Sequence, residues 1–362
     1  MKQNEAGQRL DKLLGKILNK APKSFLYKML RKKNITLNGR KADGSEKLAV
    51  DDEITLFLSE DTIREFSEEI KAPVINTTDV DIKSLIIYED KHILIINKPL
   101  GILSQKAEKE DVSMVEYIIS YLLSSGQIAT EQLRSFKPAV CNRLDRNTGG
   151  ILIAGKSLSG LQEMAKLLKD RSLNKFYLCI VKGKVEGHKR MEGYLSKDEE
   201  KNQVRIYPAQ RDNTEYICTE YEPVAYSGAA RKEEAVAREE AYIRKLKRTA
   251  RGSEAGGTPE AEHLEEAAGS YTLLQVKLIT GRSHQIRAHL ASIGHPVLGD
   301  FKYGEQKANH FFKRKYGLSN QLLHSYRMVF PKLEGELSYL SEKEFIAEVP
   351  DLFARIRKDL FD

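Results

Sequence analysis

Cys141-Asn142-Arg143-Leu144-Asp145-Arg146-Asn147-Thr148-Gly149-Gly150 is a polar stretch set between two apolar runs. Val140-Cys141 before it and Ile151-Leu152-Ile153-Ala154 after it are short enough to be buried strands. The stretch holds an arginine and an aspartate two apart and leaves through Thr-Gly-Gly. A carboxylate on a loop between two core strands is placed by a rigid scaffold yet can face a cleft. Taken alone, Arg-x-Asp also describes a turn in which the aspartate merely caps the backbone. The flanking sequence decides between the two.

Immediately downstream, Gly150 to Ser157 satisfies G-x-x-x-x-G-K-[ST], a pattern that can cradle phosphate. Such a loop aims backbone N–H groups at phosphates after a strand has ended. Here its four central residues are Ile-Leu-Ile-Ala, which form the strand itself, so nucleotide hydrolysis is rejected. Nor do the histidines suggest a metal. His284 and His289 are five apart, not the i, i+4 of a helical zinc pair, and no H-E-x-x-H occurs. No G-x-S-x-G elbow supports a serine hydrolase.

Further out, strand-like runs occupy 85–88, 93–96, 175–182, 203–207, 214–221, 271–279 and 322–330. Val115, Ile118, Ile119, Leu122 and Leu123 make a helix face that Gly126 can close. Leu161, Met164, Ala165 and Leu168 make another, with Ser159 and Gln162 spaced as a capping box. A last helix follows Pro350. Near the C-terminal third, Thr280-Gly281 turns the chain after Leu278-Ile279. Ile286, Leu290 and Ile293 then face a core on a helix that starts with Arg282 and Arg287. Residues 228–269 hold ten Ala, five Gly and a dense mix of Arg, Lys and Glu, with Tyr242 the only aromatic. They read as a surface insertion, part helix and part disordered.

The chain has 362 residues, 41% hydrophobic and 31% charged, which suits about two soluble domains. No apolar run approaches the ~18 residues of a membrane span. Cys141, Cys179 and Cys218 form no paired framework, so free thiols in a reducing cytoplasm are expected. Residues 1–58 carry 13 Lys+Arg against 7 Asp+Glu, nearly all of the net +7. Lys23, Lys28, Arg31, Lys32, Lys33, Arg40 and Lys41 follow one another without an intervening acid. A merely soluble surface intersperses both signs, so this excess points to a polyanion, nucleic acid first. Two short helices precede a strand, Ile35-Thr36-Leu37, and Asn38-Gly39 is a hairpin signal. Ser24 can cap the second helix. The acidic, irregular residues 59–82 read as a linker.

The first segment resembles the alpha-L RNA-binding motif of ribosomal small-subunit protein four. Arg9 to Leu14, Ser24 to Lys33 and Ile35 to Lys41 carry the likeness. It implies RNA contact by Lys28, Arg31, Lys32, Lys33, Asn38, Arg40 and Lys41. The remainder resembles the RluA-type pseudouridine synthases. Six segments carry that likeness in order: Tyr88-Glu89-Asp90, Asn97 to Gly101, Arg143 to Gly150, Lys175 to Gly183, Thr280 to Arg287 and Gly294 to Asp300. The resemblance implies Asp145 as the catalytic aspartate and Tyr177 as the tyrosine packed on the target base. It implies Arg287 as the basic partner of the aspartate. Arg143 is implied to enter the RNA stack where the uridine leaves, and Arg282 is placed with the RNA-binding residues. The family's usual His and Ser are here Asn142 and Gly149, which bear on substrate rather than on chemistry.

The expectation is therefore an α+β chain: an N-terminal α+β RNA-binding module (1–58), a linker (59–82) and a catalytic domain (83–362). That domain is a mixed, largely antiparallel sheet with flanking helices. The implied reaction isomerises uridine to pseudouridine in RNA, ribosomal RNA first and transfer RNA second, by a monomer without membrane contact. As an isomerisation it requires no cofactor and no metal. An ionised carboxylate can attack sugar or base, or stabilise a cationic sugar. Extruding the uridine is offset by aromatic stacking and an intruding arginine. Whether ribose or base is attacked stays open. The alternative is a non-catalytic RNA-binding or ribosome-associated protein with the same fold. The joint presence of Asp145, Tyr177 and Arg287 argues against it.

Overall fold

The computed structural model describes residues 4–68, 72–73, 80–227 and 270–362. Helices α1 (Leu10–Ile17) and α2 (Lys23–Arg31) pack on strands β1 (Ile35–Leu37), β2 (Arg40–Lys41) and β3 (Ile54–Leu56). The strands form an antiparallel sheet in the order β2-β1-β3. Leu10, Leu13, Leu14, Leu26, Leu30 and Ile35 fill its core. Asn38 and Gly39 both take positive φ, 52° and 68°, as a two-residue hairpin loop requires. Helix α2 has no side-chain cap and begins after Pro22, not after Ser24. A third helix, α3 (Glu60–Phe66), lies inside the stretch expected to be irregular. Ser59 caps it, and Ile63 and Phe66 pack on the small core.

The larger body is built on an eleven-stranded sheet. Its strands are β4 (Ile86–Glu89), β5 (Ile93–Lys98), β6 (Ala139–Val140), β7 (Gly149–Gly155), β8 (Asn174–Lys182), β9 (Lys189–Asp198) and β10 (Gln203–Tyr207), then β11 (Glu215–Tyr226), β12 (Tyr271–Leu278), β13 (Leu323–Val329) and β14 (Glu344–Ile346). The main order is β10-β9-β11-β12-β8-β13-β7-β5-β4, with β6 on β7 and β14 on β13. Every pair is antiparallel except β13 with β7. The mixed, largely antiparallel sheet expected from the sequence is present.

Strand alternation distributes the core. Ile93, Ile95, Ile151 and Ile153 pack on Met164 and Leu167 of α6 (Leu158–Lys169). Their neighbours Leu94, Ile96, Leu152 and Ala154 face the other way, onto α4 (Ile82–Leu85) and α5 (Met114–Ser124). Both faces are covered, which is why these strands are apolar throughout rather than alternating. This disposes of the phosphate-loop pattern physically: Ile151 to Ala154 are fully buried strand, and Lys156 pairs with Glu89. The cap of α6 is Ser157, whose Oγ accepts from Gly160 N, rather than the expected Ser159, whose hydroxyl instead meets His92. Strands β11 and β12 pair antiparallel on either side of residues 228–269. The expected insertion itself lies outside the described residues. Among the described residues no helix is long and apolar enough to cross a membrane.

Candidate active site

The one parallel strand pair among the described residues, β7 with β13, organises the site. His324 and Ser325 run alongside Gly149 and Gly150. Gly150 has φ +110°, and a Cβ there would stand 2.1 Å from Ser325 O, so only glycine permits this approach. The loop from Cys141 to Thr148 enters at β6 and leaves at this contact. Asn142 ties its two ends: its side chain donates to Ile151 O and accepts from Ile153 N. Leu144 is buried, and Ser104 Oγ both accepts from Leu144 N and donates to Leu144 O. Asp145, between the pinned Leu144 and Lys98, is thereby held at a fixed height.

Beneath the loop lies Lys98, 1% exposed. Its Nζ donates to Pro99 O (2.9 Å), Arg146 O (3.1 Å) and Thr148 O (3.1 Å), and reaches Asp145 O at 3.5 Å. One ammonium, with three N–H donors, thus gathers four carbonyls of the Asp145 loop and its neighbour. Burial pulls this lysine down to about 8, against a smaller opposing pull from Asp145.

The Asp145 carboxylate opens onto a cleft of about 570 Å³ lined by Arg143, Tyr177, Arg282, His284, Arg287 and Lys302, among others. Arg287 comes from α7 (Gln285–Ser292), whose Ile286 and Leu290 sit in the core as expected. Its Nη1 donates to Asp145 Oδ2 at 3.0 Å. Its Nε and Nη2 donate to Asp300 at 2.7 and 2.9 Å. Asp300 is fully buried and also accepts from the backbone N–H groups of Lys302 and Tyr303. Burial pushes the Asp300 carboxyl up, but the Arg287 fork and these N–H groups outweigh it and hold it below its usual range. Burial likewise works against the Arg287 charge, and Asp300 and Asp145 more than restore it. The guanidinium is therefore a fixed cation whose free arm points at Asp145.

Tyr177, on β8, is 6% exposed and forms part of the cleft wall. Burial pushes its phenol up to about 12, so it stays neutral. His284 sits in the left-handed region at φ 53°, and its Nδ1 meets Tyr303 Oη at 2.9 Å. Burial lowers its pKa foremost, so the neutral ring is favoured. His289 is buried one turn on, against Thr219 Oγ1, so the two histidines serve different neighbours. Arg143 is exposed at the rim. Arg282 is half-exposed and pairs with Glu215 at 2.8 Å.

The structure thus brings Asp145, Tyr177, Arg287, Arg143 and Arg282 to one cleft. The remaining expected RNA contacts lie apart, on the N-terminal module. Lys28, Arg31, Lys32, Lys33, Arg40 and Lys41 are all exposed there. Asn38 is exposed too, but its amide is engaged by Asp52 and by the N–H of Glu53. Sequence reasoning gave no role to Asp300, Lys98 or Ser104. Asp300 and Lys98 lie inside segments that carried the family likeness, but neither residue announces that it will be buried beside Asp145.

A family model described as RNA pseudouridylate synthase matches residues 92–292. The chain is 28% identical over 335 residues to ribosomal large subunit pseudouridine synthase C of Escherichia coli, spanning 90% of this chain and 86% of that one. It is 28% identical over 300 residues to ribosomal large subunit pseudouridine synthase D of Borreliella burgdorferi, spanning 82% and 74%. The human RNA pseudouridylate synthase domain containing 4 shares the fold with a TM-score of 0.51 at 18% identity, over 76% of this chain and 93% of that one. The matched family model and this fold define a pseudouridine synthase. The chain belongs to the RNA pseudouridylate synthase family, and its reaction is the isomerisation of uridine to pseudouridine in RNA.

Proposed function

We propose that this protein forms pseudouridine in large-subunit ribosomal RNA, with Asp145 as the catalytic carboxylate. The observation that carries the reading is the ion pair at 3.0 Å between Asp145 and an Arg287 that is itself fixed by Asp300. An isomerisation breaks the bond from ribose to base nitrogen, turns the base and rejoins it through carbon-5. It needs a carboxylate that is charged, aimed and shielded. Arg287 supplies the charge that orients Asp145. Tyr177 supplies a neutral ring against which the extruded uracil stacks. Arg143, at the rim, fills the gap that the uridine leaves in the RNA. Arg282 holds phosphate near the mouth. The first residues through α3 act as an RNA-binding module, and residues 83–362 carry the chemistry. The names of the two bacterial relatives support ribosomal RNA as the substrate. The cytoplasm is the compartment in which Cys141, Cys179 and Cys218 stay free.

The deciding experiment is Asp145→Asn, which keeps side-chain volume and removes the charge. Pseudouridine formation is expected to be lost while RNA binding stays within a few-fold of wild type. It is read by tritium release from carbon-5-labelled RNA and by filter binding. Residual turnover within about tenfold of wild type would remove Asp145 from the chemistry, since loss of a carboxylate nucleophile costs far more than that.

A further inference from the structure

The turn that anchors Arg287 also puts an aromatic ring into solvent. Asp300 is fully buried, whereas its neighbour Phe301 is 46% exposed. The next residue, Lys302, lines the catalytic cleft and donates its Nζ to Asn202 O at 2.7 Å. Helix α8 (Gln306–Tyr316) runs on from this turn. His310, Lys313 and Arg314 fall at helical spacing on one side of it, and all three are exposed. The His310 ring stands edge-on to Phe301 at 6.3 Å, and Lys313 Nζ lies 6.0 Å from the Phe301 centroid. No acidic residue occurs between Glu305 and Glu334. The result is an aromatic ring set among cations, continuous through Lys302 with the mouth of the cleft.

A solvated helix normally mixes charges of both signs, whereas α8 carries no acid. The combination of cations that track a backbone with a ring that stacks on any base suits single-stranded or unpaired RNA. We propose that Phe301, His310, Lys313 and Arg314 form a second RNA contact, which grips the strand beside the target uridine with Phe301 stacked on a flanking base. This rests on the reading of the cleft given above. It assigns to the far side of the cleft a binding role separate from the N-terminal module.

The test uses the full chain and total RNA from a strain lacking this gene, labelled with tritium at uridine carbon-5. Phe301→Ala and the double change Lys313→Ala, Arg314→Ala both alter exposed side chains, and their folding is checked by thermal unfolding. Each is expected to weaken RNA binding about tenfold, in line with the loss of one stacked base or two phosphate contacts. The loss should fall on KM rather than on kcat. The double change should also lower the log–log salt slope of binding by about 1.4, at about 0.7 per contact. A benzophenone side chain placed at position 301 should cross-link to nucleotides next to the modified uridine. Wild-type KM and salt slope in both variants, with tritium release intact, would overturn the proposal. Release confined to an RNA other than ribosomal RNA would overturn the substrate reading and leave this contact standing. No release by the wild-type protein would sink both.

Discussion

Arg287 is asked to hold two carboxylates at once, and its planar fork is what makes that possible. Two of its nitrogens are committed to Asp300, so the third has one direction left, toward Asp145. A lysine in its place is a point charge and cannot satisfy both partners with fixed geometry. The sharper test is Asp300→Asn, because Asp300 touches no reacting atom. It acts by positioning Arg287 and the turn at Lys302 and Tyr303. We predict that kcat falls about 100-fold, as for a misplacement of about 1 Å, while KM for RNA changes little. Stability should fall by about 3 kcal/mol, since a buried cation loses half of its compensation. Single-turnover kinetics and urea unfolding measure the two effects, and an unchanged kcat would mean that Arg287 is oriented by something other than Asp300. Asp300 was not legible as a site residue. Gly294 to Asp300 shows a turn and an aspartate, and a turn aspartate ordinarily faces water. Its burial depends on Gly299, which has φ +79° and where a Cβ would stand 2.3 Å from Asn320 O. That is a tertiary fact with no local signature. Asp145 was legible as a loop carboxylate because apolar runs frame it locally, and its role came only from the family likeness.

Elements were legible where one periodicity dominated. Strands β5, β7, β8 and β12 are runs of large apolar residues, and α5 presents a clear apolar face, so the expected and observed spans nearly coincide. Strand β9 was missed because its outward face is charged and Gly193 interrupts its inward face of Met191 and Leu195. Helix α3 was missed because Glu60 and Asp61 read as linker acidity, although acids in a first turn behind a serine cap are also a helix start. Helix α8 was missed because only Ala308 and Phe312 are its buried apolar residues. The end of β5 yields the element-scale prediction. Lys98 closes this strand and its ammonium props up the loop that bears Asp145. Its pKa is about 8 in the folded chain against 10.5 for the free side chain. Between those values the unfolded chain holds a proton that the folded chain has released, so stability should rise with pH across this window. Activity should move the other way, because a neutral amine donates two hydrogen bonds where the ammonium donates three. Above pH about 8 the loop loses a tether. In Lys98→Met both trends should disappear, together with about 3 kcal/mol of stability as buried carbonyls lose their donor. An alkaline limb at the same pH in both proteins would assign it to another group.

At the scale of the whole molecule, the chemistry and most of the charge excess are kept apart. The cleft is lined by residues from Leu103 onward, whereas the basic run from Lys23 to Lys41 belongs to a small body with its own core. Contacts between the two include Lys16 Nζ donating to Ser135 O at 3.2 Å and Leu158 N donating to Asn4 Oδ1 at 3.3 Å. Because Ile63 and Phe66 of α3 belong to the small core, a cut after residue 58 would strip two of its packing residues. Substitution of exposed charges is therefore a cleaner probe than deletion. Lys28, Arg31, Lys32 and Lys33 are exposed at the end of α2 and just beyond it, and no acid neighbours them in sequence. Changing all four to glutamine leaves the core untouched and removes the phosphate contacts that the alpha-L likeness implies. If each contacts one phosphate, the log–log salt slope of RNA binding should fall by roughly 3, at about 0.7 per contact. The affinity defect should be largest at low salt and shrink as salt rises, because the lost term is itself the screened one. Turnover of bound RNA should persist, since none of the four reaches the cleft. Binding and single-turnover rates at several salt concentrations measure both. An unchanged slope would mean that this face holds no RNA phosphate and that its charge serves another acidic partner.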